Sequence, residues 1–212
     1  MQGTEQQTAL DNMGSKTMIL ENVNELLKPG YLPTETGYMR LPNNQIYIAV
    51  LTRMPKCAGK MVDWWFGYAG DTEKYKLWHP EDHVIGDWDE HWRPGHYIGA
   101  SHLVHEYVGG ELVKLKITFR EPSDFFDTSR FEEAKVGAAV CGDVGLLEED
   151  KQLGHLIHFV RDTDLGCEMR SRFWLFDAPE EFGGALMQHC IEEMGNLADL
   201  LPELYAKETM GR

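Results

Sequence analysis

The sequence predicts an α+β fold in which a curved antiparallel β-sheet wraps around one long C-terminal helix. Residues 45–54 are rich in β-branched and aromatic residues and predict the first strand. Further strand patterns, separated by turn signals, follow between residues 97 and 176. Residues 179–207 carry the periodicity of a long helix with a wide apolar arc. A helix of that kind lies across a sheet and is largely covered.

The order of the remaining elements supports the same architecture. Two short helices, at 56–69 and 72–78, follow the first strand, and the segment from Trp88 to Trp92 is a loop or a short edge strand. The other predicted strands span 97–108, 111–120, 136–147, 155–161 and 167–176. Strand, two helices, antiparallel strands and a final helix make up the helix-grip architecture (Bet v1/START-like), which leaves a cavity between sheet and helix.

Length and composition predict a single domain. The chain has 212 residues, of which 42% are hydrophobic, so it can bury one substantial core. Residues 1–15 are polar and predict a flexible tail ahead of one domain at 16–212. A short helix over Ser15 to Leu27, capped by Ser15, is expected at the start of that domain.

Charge and cysteine usage exclude several classes of partner. A net charge of −15 argues against binding to nucleic acid or to an anionic membrane surface. No apolar run is long enough for a transmembrane helix, and the N-terminus has no secretory pattern, so a cytoplasmic protein is expected. The four cysteines are scattered, which predicts reduced thiols. Monomer and homodimer both remain open.

The C-terminal helix places an imidazole and a carboxylate on one face. His189 and Glu193 are one turn apart at the margin of the apolar arc. The pair could neutralise itself, or Glu193 could meet an arginine from the sheet, because a buried carboxylate needs a partner. The same spacing also presents two metal ligands on one helical face.

The segment from Trp78 to Glu111 holds six of the nine histidines. His79 ends a short helix, while His91 and His96 are equally well explained as surface residues. Alternation along the strand 97–108 puts His102, Val104 and Glu106 on one face and Ser101, Leu103, His105 and Tyr107 on the other. Either face could be the inner one.

The later strands carry two further histidines and two arginines. His155 and His158 lie on opposite faces of their strand, so only one can reach a cavity. Arg170 and Arg172 share a face and are more typical of structural ion pairs than of a substrate clamp. The sequence has no GxSxG, Gly-rich phosphate loop or HExxH motif, so serine-hydrolase, nucleotide-binding and zincin functions lack support.

Four separated motifs resemble one enzyme family. They are WHPEDH at 78–83, the DEHW and HLVHE stretch within 89–106, RDTDLGCEMRSRFWL at 161–175 and ALMQHCIEEMGNL at 185–197. In this order they resemble the 2,4-diacetylphloroglucinol hydrolase and phloretin hydrolase family, over roughly residues 38–206. The resemblance implies a helix-grip fold and hydrolysis of the carbon–carbon bond between an acyl group and a phloroglucinol-type ring. Its substrate would be a small aromatic acylated polyphenol.

The resemblance also implies a metal centre. It implies one divalent ion, most often Zn²⁺ with Fe²⁺ or Mn²⁺ as alternatives, held by His79, Glu106, His189 and Glu193. His83 competes with His79, and Glu111 with Glu106, for two of those places. Two carboxylate ligands make a bound water less acidic, so an additional base is expected, with His158 as the candidate. Tyr75 and Asp82 are the candidates for orienting ring hydroxyls.

Two other functions fit the same fold. A helix-grip protein can carry an apolar or aromatic ligand without chemistry, or it can keep the metal and catalyse cyclisation or decarboxylation of a polyketide. The chain is shorter than the best-known members of the family, chiefly ahead of the final helix. Metal content separates a carrier from the enzymes.

Overall fold

The computed structural model describes residues 18–210 and shows one eight-stranded antiparallel sheet with a long helix across it. The strands are β1 (Gly37–Arg40), β2 (Ile46–Pro55), β3 (His83–Trp88), β4 (Ser101–Val108), β5 (Glu111–Arg120), β6 (Val136–Leu146), β7 (Gln152–Thr163) and β8 (Gly166–Leu175). Their spatial order is β1-β2-β8-β7-β6-β5-β4-β3. The α-helices are α1 (Gly59–Tyr68), α2 (Thr72–Trp78) and α3 (Glu180–Met210). Short 3₁₀ helices cover Leu20–Leu27, Pro122–Asp124 and Thr128–Arg130.

The predicted α+β helix-grip architecture is confirmed, with differences at the sheet edges. Two short edge strands, β1 and β3, are additional to the prediction, and only Trp88 of the segment 88–92 belongs to a strand. The strand predicted from residue 97 begins at Ser101, because Gly99 and Ala100 form a turn whose backbone bonds to Phe119. The N-terminal helix is a 3₁₀ helix that begins at Leu20, while residues 1–15, with the Ser15 cap, lie outside the described residues.

The concave face of the sheet and the inner face of α3 enclose the main core. Strand alternation decides which side chains point inward: along β7, Leu156, His158 and Val160 face α3, while Ile157 and Phe159 face away. The helix approaches the sheet closely at the β4–β5 turn, where Gly109 has φ +61°. A Cβ on Gly109 would lie 2.8 Å from the Ala185 Cβ. This contact brings the N-terminal part of α3 against the turn that ends β4.

The outer face of the sheet is covered by the N-terminal segment. Arg170 and Arg172 point outward from β8, and both pair with the carboxylate of Glu35. The Arg170 Nη2–Glu35 Oε1 distance is 2.5 Å, and Arg170 Nη1 also donates to the Leu26 carbonyl at 3.2 Å. Both guanidinium groups are buried. The expectation that these arginines serve structural ion pairs is confirmed.

Two further features concern the state of the cysteines and the length of the helices. All four cysteines are buried and free. Within residues 18–210, no helix combines the length and apolar character that crossing a bilayer requires.

The Glu35 cluster gives the first prediction. Glu35→Gln keeps the side-chain volume but leaves Arg170 and Arg172 buried without their anion, so we expect the free energy of unfolding to fall by about 3 kcal/mol or more. Urea denaturation followed by circular dichroism measures it. The matched control is Glu25→Gln, which removes an exposed pair with Lys28 and should change stability by less than about 1 kcal/mol. Equal effects of the two substitutions would contradict a structural role for the cluster.

Candidate metal centre and active site

A cavity of about 300 Å³ lies between the concave face of the sheet and α3. Most of its wall is apolar or aromatic, from Phe66 and Trp78 at one end to Phe176 and Phe182 at the other. Its polar wall residues are Tyr75, His102, Glu106, Lys151, His158, Asp177, His189 and Glu193. An apolar cavity with a few convergent polar groups is typical of a small-molecule site.

Glu106 lies on the inner face of β4. The sequence left open which face of β4 is the inner one. The inner face is that of His102, Val104 and Glu106, because these three side chains line the cavity. The buried hydroxyl of Tyr75, from α2, donates a hydrogen bond to Glu106 Oε2. Burial and the adjacent Glu106 charge raise the pKa of Tyr75 well above its usual range, so the phenol stays protonated and remains a donor.

His83 begins β3 and lies beneath the ring of Tyr75, with ring centroids 3.7 Å apart. Its Nδ1 is 2.9 Å from the Tyr75 carbonyl oxygen. Since a carbonyl only accepts, Nδ1 carries the hydrogen, and in the neutral ring Nε2 has a free lone pair. Nε2 has no hydrogen-bond partner among the described residues. It lies 3.4 Å from Glu193 Oε1 and 3.9 Å from Glu106 Oε2.

His189 has the same arrangement on α3. Its Nδ1 is 3.2 Å from Asp82 Oδ2, and its Nε2 is buried without a hydrogen-bond partner in the described part of the chain. A carboxylate that receives Nδ1–H leaves Nε2 with its lone pair, as in the carboxylate–histidine pairs that support metal ions. One ligand atom each from His83, Glu106 and His189 lie within 4.8 Å of one another.

His79 differs from the other two histidines in the tautomer its contacts favour. The backbone N–H of Asp82 donates to His79 Nδ1 at 3.2 Å, so the hydrogen of the neutral ring is on Nε2. That nitrogen lies 3.5 Å from Asp82 Oδ2 and 3.7 Å from Glu192 Oε2. His79, Asp82 and His189 also offer ligand atoms within 4.8 Å of one another. The His79 ring is parallel to that of His189, with centroids 4.9 Å apart.

Glu193 sits beside three histidines. Burial alone would raise the pKa of its carboxyl, but the adjacent His83 side chain and, next, the charge of His189 lower that pKa overall. Within residues 18–210, neither Glu193 nor Glu106 forms an ion pair with a lysine or arginine. The expectation that Glu193 meets an arginine is therefore not met, since the arginines of β8 bind Glu35 on the other face.

Two more histidines line the cavity outside this cluster. Burial lowers the pKa of His158 to about 4, and its Nδ1 is 2.8 Å from Ser171 Oγ. Burial, with the charge of His83 as the next cause, lowers the pKa of His102 to about 3. The His102 ring stacks on Trp88 with centroids 4.3 Å apart. Both imidazoles are neutral at pH 7 and can exchange hydrogen bonds with a ligand.

The structure brings together most of the residues singled out from the sequence. Tyr75 and His158 line the cavity, whereas Asp82 contacts His189 from behind. His155 faces outward, toward Asp143, as strand alternation required of one of the two histidines. Glu111 and the surface histidines His91 and His96 are exposed. His102 and Ser171 were not selected, because nothing local in the sequence distinguishes a cavity residue from a core residue.

Comparisons with known proteins show the family of this chain. The model of a family described as "DAPG hydrolase PhiG domain" matches residues 18–183, well over half of the chain. The chain belongs to the DAPG hydrolase PhiG domain family. It is 27% identical to a 2,4-diacetylphloroglucinol hydrolase of Pseudomonas protegens, and the alignment covers 89% of this chain and 73% of the relative. It is 31% identical to the phloretin hydrolase of Eubacterium ramulus, covering 74% of this chain and 66% of that enzyme.

Solved structures show the fold of this family member. Ginseng major latex-like protein 151 from Panax ginseng superposes with a TM-score of 0.51 at 13% identity, covering 73% of this chain and 96% of that one. Ara h 8.0201 superposes with a TM-score of 0.51 at 8% identity, covering 74% and 99%. At such low identity these likenesses support the Bet v1-like fold alone.

The lowered pKa values give a prediction for nuclear magnetic resonance. A histidine whose folded-state pKa is depressed stays neutral as pH falls through 6.5 and protonates only near that lower pKa. In protein labelled with ¹³C-histidine, the ring signals of His102 and His158 should therefore keep the neutral shift from pH 7 to pH 5. Free histidine in the same tube is the control, and His102→Gln and His158→Gln assign the signals. A midpoint near 6.5 for either residue would contradict its burial in the cavity wall.

Proposed function

We propose that this protein is a divalent-metal-dependent hydrolase that cleaves the carbon–carbon bond between an acyl group and a phloroglucinol-type ring. One observation carries the proposal: the unpartnered Nε2 atoms of two buried histidines, the buried Glu106 carboxylate and the half-buried Glu193 carboxylate converge beside one cavity. The named relatives are 2,4-diacetylphloroglucinol hydrolase and phloretin hydrolase. Acylated phloroglucinols are therefore the substrates to test first.

The donor set fits a divalent ion. Zinc accepts imidazole nitrogen and carboxylate oxygen, and its ligand atoms, at 2.0–2.2 Å from a tetrahedral ion, lie about 3.4 Å apart. The His83 Nε2–Glu193 Oε1 distance is 3.4 Å. Two carboxylates would balance the charge of the ion, whereas without it they have no lysine or arginine partner among the described residues beside an apolar cavity. Zn²⁺ is our first choice, with Fe²⁺ and Mn²⁺ as alternatives that accept the same ligands.

We further propose that His83 takes the place predicted for His79. The four ligands would then be His83, Glu106, His189 and Glu193. The support is the tautomer: His83 donates its Nδ1–H to a carbonyl and keeps Nε2 free, while His79 accepts at Nδ1 and carries its hydrogen on Nε2. A nitrogen that carries a hydrogen has no lone pair for a metal. His79 would instead hold the Asp82 carboxylate that orients His189.

A bound divalent ion would lower the pKa of a water molecule and polarise the acyl carbonyl. The chain's own residues have separate tasks. Tyr75 holds Glu106 and Asp82 holds His189, so both ligands are fixed before substrate binds. The aromatic wall excludes bulk water from the reacting groups.

His158 is the candidate for proton transfer. Hydrolysis adds hydroxide from water to the acyl carbon, the ring–acyl bond breaks with its electron pair going to the ring, and a proton returns to that ring carbon. The products are a carboxylic acid and the deacylated ring. His158 lines the cavity and is neutral at pH 7, so its imidazole can take the proton from water and return it. Hydroxyl groups on the ring stabilise the leaving electrons as a phenolate.

A protein that only carries a ligand is expected to have different side chains around its cavity. A protein that only holds an apolar ligand gains nothing from two buried carboxylates and two unpartnered imidazoles, each of which loses hydration on burial. Metal content and hydrolysis therefore distinguish the carrier from the enzyme.

Metal content is the first test of this proposal. Protein purified without chelators should contain about one zinc, iron or manganese per chain by elemental analysis. His83→Ala, His189→Ala and Glu193→Ala should each lower occupancy about tenfold or more, while His79→Ala retains most of it. His91→Ala, at an exposed histidine, is the control. Loss of metal in His79→Ala with full retention in His83→Ala would contradict our choice of ligand.

Hydrolysis is the second test. Metal-loaded protein should convert 2,4-diacetylphloroglucinol to acetate and the monoacetyl ring, and chromatography measures both products. His158→Gln should lower kcat by about 100-fold with metal occupancy unchanged. A metal-free wild type that is folded and binds the substrate without turnover would support the carrier instead. Release of carbon dioxide or ring closure in place of the acid would point to a decarboxylase or cyclase.

A further inference from the structure

The lining of the cavity forms two halves of different chemistry. The inner half, between Phe66, Trp78 and Phe119, contains the imidazoles of His102 and His158. The outer half extends toward the start of α3 between the side chains Val108, Leu115, Leu153, Phe176, Phe182 and Leu186. It ends at Lys151, Asp177 and Pro179, which are exposed and mark the mouth.

The outer half is long compared with an acetyl group. Phe182 and His189 line the same cavity and are seven residues apart on α3, so at 1.5 Å per residue they are about 10 Å apart along the helix axis. Because successive ~1.5 Å carbon–carbon bonds zigzag, an extended chain advances roughly 1.25 Å per bond, so about eight bonds cover that length. An acetyl group at the metal ligands would leave most of this half unfilled.

The outer half has no polar side chain in its wall before the mouth. Between the metal ligands and Lys151 or Asp177, its lining side chains are aliphatic or aromatic within the described residues. A ring hydroxyl placed there would lose its hydrogen bonds to water without replacement, which disfavours binding in that position. The inner half offers neutral imidazoles and aromatic faces instead. A polyhydroxylated ring therefore fits the inner half, and an apolar chain fits the outer half.

We infer that the outer half is an acyl-chain subsite, and that the preferred substrates carry a linear apolar acyl group of about six to eight carbons, which fits within a length of ~10 Å. This inference rests on the proposed acyl-ring hydrolysis. Each methylene group moved from water to this wall contributes about 0.8 kcal/mol, or about fourfold in kcat/KM if it is retained in the transition state. The binding energy of the acyl chain then stabilises the transition state at the reacting carbonyl.

The experiment compares acylphloroglucinols with acetyl, butanoyl, hexanoyl and octanoyl groups on the metal-loaded wild type. We expect kcat/KM to rise by at least about 100-fold from acetyl to hexanoyl. Leu153→Trp, which fills the subsite, should lower the hexanoyl-to-acetyl ratio of kcat/KM at least tenfold. Leu112→Trp adds the same bulk at a side chain that is 47% exposed and should leave the ratio unchanged. Phe182→Ala, which lengthens the subsite, should move the optimum toward octanoyl and covers the case in which Leu153→Trp does not fold.

The outcomes separate this inference from the function on which it rests. If acetyl is cleaved as well as hexanoyl, the outer half is only an entrance and the inference fails, while acyl hydrolysis stands. If Leu153→Trp lowers kcat/KM equally for every chain, the ring occupies the outer half and the inference also fails. If the metal-loaded protein cleaves none of the series, both the hydrolase proposal and the subsite are wrong.

Discussion

Burial of negative charge is the constraint on which the site depends. Glu106 and Glu193 lie beside an apolar cavity, and within residues 18–210 neither has a lysine or arginine partner. Buried carboxylates are stabilised by a cation, by donated hydrogen bonds or by protonation. Here Glu106 accepts one hydrogen bond from Tyr75, and the other neighbours are histidines whose Nδ1 atoms are engaged elsewhere and whose Nε2 atoms have no hydrogen-bond partner among the described residues. The divalent ion that we propose would satisfy both carboxylates and both nitrogens at once.

The scaffold contributes by bringing three distant segments to one point. The β4–β5 turn at Gly109 lets α3 approach the sheet, so His189 and Glu193 meet the inner face of β4. The corner between α2 and β3 supplies His79, Asp82 and His83 from a short stretch of chain. A 3.0 Å backbone hydrogen bond from His83 N to the His79 carbonyl fixes this corner. The His83 imidazole then faces the carboxylates, and the His79 imidazole faces Asp82. The outer face is held separately by Glu35, so the structural ion pairs of Arg170 and Arg172 do not involve Glu106 or Glu193.

Long elements and periodic faces were predictable from the sequence, and contacts between segments were not. The pattern of α3 located His189 and Glu193, and alternation along β4 narrowed Glu106 to one of two faces. The edge strands β1 and β3 escaped prediction because they are short and β3 is interrupted by a bulge between His83 and Ile85. The distinction between His79 and His83 depends on which atom of a neighbouring residue contacts each Nδ1. A family motif contains both histidines and carries no information about that contact.

Anomalous X-ray diffraction tests the central claim most directly. Data from crystals of protein purified without chelators, collected on both sides of the zinc, iron and manganese absorption edges, locate and identify the ion. We predict one anomalous peak about 2.0–2.2 Å from the Nε2 atoms of His83 and His189 and from one oxygen each of Glu106 and Glu193. A peak beside His79 and Asp82, or no peak in crystals of a fully folded protein, would contradict the account.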